Sequence, residues 1–198
     1  VSVTREQARA ALRARQGGGA RYDADMAPAQ ELDWARRGTA YFARILTNLS
    51  DEALLGASAV PGKNRSWVVA ATALQARMLA EAVAYVRSNS SVPAQFEFVV
   101  DAAEIALAAT LPPQALRNLF AHSEVHLNVE WRDLEDEGWD AAINDRHGRQ
   151  LRMRESPRIR AYRLWHCAVQ LRSGGREIDI PSELQSTRVD VGDPLPMF

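Results

Sequence analysis

The sequence predicts an all-α protein: an up-and-down four-helix bundle with short extra helices and a small β-hairpin before the last long helix. Two observations carry this. Four segments of about fifteen to twenty-two residues repeat apolar side chains close to the 3.6-residue helical period. Only one stretch, around His147-Gly148, has two short extended arms flanking a turn.

Thr4 to Gln7 has the spacing of a capping box and opens an Ala/Arg-rich helix to about Arg15, which Gly17-Gly18-Gly19 stops. These glycines read as a flexible joint. They follow a helical run rather than a strand and lack the Lys-Ser/Thr of a phosphate loop. The first long helix runs from Pro28 to about Leu49, with Leu32, Ala35, Phe42, Ile45 and Leu46 on one stripe. Ser50-Asp51-Glu52 and Pro61-Gly62 punctuate the connection to the second, Ser66 to Arg87, striped by Trp67, Ala71, Leu74, Met78 and Ala82. Ser88 to Pro93 is a surface linker, followed by a helical candidate from about Gln95 to Ala109. Pro112-Pro113 starts the third long helix, carried by Leu116, Phe120, Leu127 and Trp131 and ended by Gly138, with the acidic run 133–137 as a solvated loop. Pro157 opens the fourth, which closes at Gly174-Gly175. The expected organisation is an N-terminal helix and joint over 1–27, the bundle over 28–175 and a tail over 176–198.

Composition narrows the function classes. The chain has 198 residues, 46% hydrophobic and 25% charged, which suits a soluble globular domain. Lys and Arg number 24 against 25 Asp and Glu, so no global field draws it to nucleic acid or anionic lipid. Arg77, Arg87 and Glu104 break the apolar candidates for a membrane span, and the polar start carries no signal-like apolar region. A single cysteine, Cys167, rules out an intrachain disulfide and fits a reducing compartment, so a cytoplasmic protein is expected. The expected partner is a small-molecule ligand, with no nucleic acid and no membrane, and a homodimer is the candidate assembly.

Specific segments resemble one family. Ala35-Arg36-Arg37-Gly38-Thr39-Ala40-Tyr41-Phe42, Leu49-Ser50-Asp51-Glu52-Ala53-Leu54 and Ser58-Ala59-Val60-Pro61-Gly62 look like the N-terminal part of mycothiol-dependent maleylpyruvate isomerases, in the DinB-like superfamily. Downstream, Trp131-Arg132-Asp133-Leu134, Trp139-Asp140-Ala141, Glu155-Ser156-Pro157 and Ala168-Val169-Gln170-Leu171 resemble the same family's hairpin and fourth helix. The likeness covers about residues 30–175. It implies a DinB-like bundle and a divalent metal held by one His on the second helix and a Glu and a His one turn apart on the fourth.

At those positions the chain departs from the family. Ala71 stands where the second-helix His is expected, Arg163 where the Glu is, Cys167 where the second His is, and Gln170 where the family has Asp. Alanine has no donor atom, a guanidinium repels a cation, and one thiol does not make a transition-metal site. The expectation is therefore no metal and no cofactor. The family's second domain is expected to be missing or reduced to the tail.

Arg163 and Cys167 lie four apart and share a helix face. Arg163 is the candidate to hold a substrate carboxylate or enolate; Cys167 is either a nucleophile activated by it or a small buried hydrophobe. Gln75, Trp67, Tyr162, Ala71 and Gln170 are the candidate ligand-positioning residues, although aromatic residues at helical spacing more often belong to a core. His122 and His126 have a metal-compatible spacing but read as hydrogen-bonding groups within the bundle. His166 points about 100° away from Cys167, which disfavours a Cys-His pair, and His147 is a turn residue. The arginine-rich run from Arg146 to Arg163 reads as a solvent face.

The leading expectation is a metal-independent, repurposed enzyme of this group, an isomerase, cyclase or thiol-transferase acting on a small carbonyl or carboxylate compound in specialised metabolism. The alternatives are a non-catalytic small-molecule-binding protein on the same fold, and an interaction protein whose cavity is filled by aromatic side chains.

Overall fold

Residues 22–185, with Thr4 and Gln7, are described by the computed structural model. The body of the predicted N-terminal helix, the Gly17–Gly19 joint and residues 186–198 lie outside the described residues. The capping-box pair itself is present: the Thr4 amide donates to Gln7 Oε1 (3.0 Å) and the Gln7 amide to Thr4 Oγ1 (3.3 Å).

The order of elements is α1 (Ala29–Asn48), α2 (Asp51–Leu54), α3 (Arg65–Arg87), α4 (Ala102–Ala108), α5 (Pro113–Asp133), α6 (Asp136–Asp140), β1 (Ala142–Asn144), β2 (Gln150–Arg152), α7 (Ser156–Gln170) and α8 (Ser182–Gln185). The four long helices α1, α3, α5 and α7 form the bundle. Their starts follow local chemistry: Asn64 caps α3 by accepting from the Trp67 amide (2.9 Å), and Pro113 and Pro157 occupy first-turn positions whose amides have no intrahelical partner.

Side-chain contacts fix the helix directions. Arg36 meets Asn128, Thr39 meets Glu124 and the Phe42 ring packs tilted against Phe120, so α1 runs against α5. Arg65 donates to the Leu171 carbonyl while Arg160 donates to Thr72 and Gln75, so α3 runs against α7. Trp131 donates to Ser156 while Glu124 pairs with Arg160, so α5 and α7 are also opposed. The resulting order is up-down-down-up, with α3 and α5 in the same direction. A crossover must carry the chain back along the bundle, and residues 88–112 provide it.

Helix α1 packs closely on α7 because Gly38 lacks a side chain. A Cβ there would lie 2.9 Å from Trp165 Nε1 and 3.1 Å from Leu164 Cβ. Trp165 in turn donates to the Trp34 carbonyl (3.1 Å) and stacks on Tyr41 (4.8 Å between ring centroids). Helix α3 is long and apolar enough to cross a membrane by length and composition alone, but 83% of its most apolar window is buried in the bundle. Its role is that of a core helix.

The structure alters three of the sequence expectations. The helix expected from Gln95 begins only at Ala102, after the Asp101 cap; Phe96, Phe98 and Val100 are buried from irregular chain with a bend at Phe98-Val99, and an apolar count alone does not separate such a segment from a helix. The third long helix ends at Asp133 rather than at Gly138, which instead lies within α6, so part of the acidic run is helical. Residues 177–179 form a 3-10 turn before α8, and Ile180 and Leu184 are buried. There the Tyr41 hydroxyl donates to Asp179 (2.6 Å), and Arg176 together with that hydroxyl holds the Asp179 carboxyl down at about 2.

The hairpin before α7 forms as expected, pairing Ala142 with Arg152 and Asn144 with Gln150 around Gly148, whose φ is +76°. Asp145 organises it. Its carboxylate accepts from the His147 and Arg149 amides (2.8 and 3.0 Å) and from Arg149 Nε (2.8 Å). Burial pushes this carboxyl up, but the Arg149 and backbone donors outweigh it and the net shift is down. A depressed carboxyl stabilises the fold above its unfolded pKa, and that contribution disappears as pH falls through the folded value. Asp145→Ala should cost about 1–3 kcal/mol in chemical denaturation at pH 7. In Asp145→Asn the loss of stability below about pH 4 should be shallower than in the parent; equal acid sensitivity would remove Asp145 as its source.

Candidate functional site

One buried side chain joins all four long helices. Arg160, on α7, is 0% exposed. Its Nη1 donates to the Thr72 carbonyl (2.8 Å) and to Gln75 Oε1 (2.9 Å) on α3, and its Nη2 pairs with Glu124 on α5. The other Glu124 oxygen accepts from the Thr39 hydroxyl on α1 (2.8 Å). Burial pulls the Arg160 pKa down to about 9, an effect that Cys167 opposes and the Arg163 charge reinforces. At neutral pH it remains a cation.

The expectation of a solvent face over Arg146 to Arg163 therefore fails at Arg160. The composition of an arginine-rich run gives no sign that one of its members is buried. The signal that could have found it is its place on the helix: Arg160, Leu164, Cys167 and Leu171 follow 0, 4, 7 and 11, and the other three are apolar. Glu124 lies between the candidate histidines His122 and His126 and is the residue of that trio that turns inward.

The same face of α7 carries the predicted pair. Cys167 is buried, at 2% exposure, and Arg163 is half-buried with Nη1 4.0 Å from Cys167 Sγ. The register between α3 and α7, set by Arg65 with Leu171 at one end and Gln75 with Arg160 at the other, places Ala71 between the levels of Arg163 and Cys167. Trp67 lies one turn further towards Cys167, with Lys63 Nζ 5.2 Å from its ring centroid. Gln170 is half-buried seven residues after Arg163, on the same edge of the helix, and its carbonyl accepts from the Ala59 amide (2.8 Å).

Two of the candidate positioning residues are engaged elsewhere. Gln75 is held by Arg160, and Tyr162 turns about 100° from Arg163, its ring 4.1 Å from that of His166. His166 in turn contacts the Leu184 carbonyl through Nε2 (3.1 Å). His122 and His126 are both exposed, and His126 sits 3.5 Å from Glu130.

A metal does not fit this residue set. Ala71 presents a methyl group, Arg163 presents a charge of the wrong sign, and Cys167 is the single remaining donor. Among the described residues no three His, Cys, Asp or Glu side chains are grouped to hold an ion. Two surface concavities, of about 420 Å³ beside Leu74, Tyr85 and Phe96 and about 660 Å³ beside Arg87, Asn89 and Gly138, are lined by none of Ala71, Arg163 and Cys167. What the Arg163 face offers is positive charge beside an apolar wall, an arrangement able to bind an anion or stabilise an oxyanion.

Comparison with known proteins bears on the fold and the family. Two solved structures share the fold: a mycothiol-dependent maleylpyruvate isomerase at 29% identity and a histidine-to-alanine variant at 30%, each with a TM-score of 0.72 and covering 80% of this chain. The present chain spans 65% of the length of those proteins. No curated protein matches. The sequence pattern of the mycothiol maleylpyruvate isomerase N-terminal domain matches residues 35–171, from the first long helix to the end of the fourth. The chain belongs to the mycothiol maleylpyruvate isomerase N-terminal domain family.

Proposed function

We propose that this protein is a metal-independent derivative of the maleylpyruvate isomerase group, acting on a small compound that bears a carbonyl or carboxylate. The observation that carries the reading is the exchange of charge carriers. Where the family resemblance implies a metal cation, Arg163 supplies a permanent one, half-buried and one turn from Cys167. A guanidinium can stabilise an enolate or other developing oxyanion by charge and directed donors, and this needs no metal ligand. Isomerisation, cyclisation and thiol addition all pass through such a charge. Cys167, at 2% exposure, is assigned to the wall rather than to covalent chemistry.

The test is turnover of small 2-oxo and unsaturated carboxylates, with and without a low-molecular-weight thiol, by the parent, Arg163→Gln and Cys167→Ala. Arg163→Gln should lose on the order of 10²-fold in kcat, the scale seen when one oxyanion donor is removed. Cys167→Ala should stay within a fewfold of the parent. A fully active Arg163→Gln would refute the electrostatic role, and an inactive Cys167→Ala would reinstate the thiol.

The burial of Cys167 and the commitment of Gln75 to Arg160 favour a second reading, a non-catalytic binding protein. Saturable stabilisation by a carboxylate compound without turnover would decide for it.

A further inference from the structure

We infer that the ligand is held by its carboxylate, shared between Arg163 and the Nε–H of Arg160. This deepens the functional reading above and rests on it for the location of the site. The first ground is charge. Arg160 and Arg163 are two cations on adjacent turns of α7, close enough for Arg163 to weigh on the Arg160 charge. One carboxylate, Glu124, answers them, and its bonds go to Arg160 and Thr39. Among the described residues Arg163 has no acidic partner; its one polar contact is the Cys167 sulfur at 4.0 Å.

The second ground is an unmet donor. Arg160 is completely buried and both of its Nη atoms are bonded, yet its Nε has no hydrogen-bond partner. Buried donors of charged groups are rarely left unmet, because they forfeit hydration without replacement. A carboxylate has two oxygens and accepts from two donors at once, so one such group satisfies the Arg160 Nε–H and neutralises Arg163. A neutral carbonyl has the acceptor but not the charge. A single carboxylate brings the count of two cations and one anion to balance.

The experiment is a titration of the folded protein followed by ¹H–¹⁵N NMR of the arginine Nε–H groups, with pyruvate as the probe. Methyl pyruvate serves as the uncharged analogue, and sodium chloride and inorganic phosphate as the ionic controls. Pyruvate should move the Arg160 Nε–H resonance saturably downfield and slow its exchange with water. Arg163→Gln, whose fold is checked by circular dichroism, should bind on the order of tenfold more weakly, and Arg163→Lys should bind better than Arg163→Gln.

An unmoved Nε–H resonance, an equal response to methyl pyruvate, chloride or phosphate, or unchanged affinity in Arg163→Gln would each overturn the assignment. The two readings fail separately. Turnover without the Nε–H shift refutes the shared carboxylate and leaves the enzyme. The shift without turnover of any carbonyl or carboxylate compound refutes the enzyme and leaves the carboxylate site.

Discussion

Glu124→Ala should destabilise the fold by about 3–5 kcal/mol, because it leaves a fully buried guanidinium without its carboxylate. The Thr39 hydroxyl loses its acceptor at the same time. Against a typical total of about 5–15 kcal/mol this is a large fraction, equivalent to about 2 M in urea midpoint for an m-value near 2 kcal/mol/M. The comparison that isolates burial is Glu130→Ala. Glu130 is as buried as Glu124 but pairs with Arg87 (2.7 Å), whose side chain is 39% exposed; the guanidinium left behind in Glu130→Ala is hydrated, so the loss of stability should fall well below that of Glu124→Ala. The double variant Glu124→Leu with Arg160→Met removes both charges together and should recover most of the loss, since a buried ion pair adds little over a well-packed apolar pair. A Glu124→Ala midpoint within about 0.5 M of the parent would mean that the network at Arg160 is not what ties the four helices together.

That network shows where sequence reading succeeds and where it stops. The long helices α1, α3, α5 and α7 were legible because each repeats apolar groups at helical spacing between strong boundary residues. Periodicity is a property of one segment and survives without knowledge of its neighbours. Even there, the segment from Gln95 was misread, because Phe96, Phe98 and Val100 are buried from irregular chain that turns and bends before the Asp101 cap. The directions of α3 and α5 depend on the crossover over residues 88–112, whose path no local pattern specifies.

At the candidate site the same division holds. Arg163 and Cys167 were legible as a pair because both lie on one helix, four residues apart, and the structure places them in contact. Arg160 was missed because its role is defined by partners on three other helices, Thr72 and Gln75 on α3, Glu124 on α5 and, through Glu124, Thr39 on α1. The helical spacing of Arg160 could mark it as inward-facing, but not which groups on the other helices it meets. The Tyr162 position shows the converse: an aromatic residue next to Arg163 in sequence faces another direction, because adjacent residues on a helix diverge by about 100°.

Restoring the family-type donors should restore a metal site. Ala71→His, Arg163→Glu and Cys167→His in one chain replace a methyl, a cation and a thiol by two imidazoles and a carboxylate, a set suited to zinc with one position left open. The helix register that places Ala71 between the levels of Arg163 and Cys167 is the geometric basis for expecting the three to converge. Without metal the variant should be less stable than the parent, because a larger side chain at Ala71, 1% exposed, overpacks the α3–α7 contact by about 1–3 kcal/mol. With zinc the loss should be offset: binding to the folded state alone contributes about 4 kcal/mol at a thousandfold excess over Kd. The measurement is elemental analysis after dialysis, paired with denaturation midpoints with and without chelator. The variant should hold about one zinc per chain and lose midpoint to chelator, while the parent shows neither. A parent that retains one equivalent of zinc would refute metal independence outright, and donors from elsewhere in the chain would then have to replace the three that have changed. A variant that stays metal-free while folded would show instead that Arg163 and Cys167 stand at the right sequence positions but on a helix face too displaced for the old chemistry.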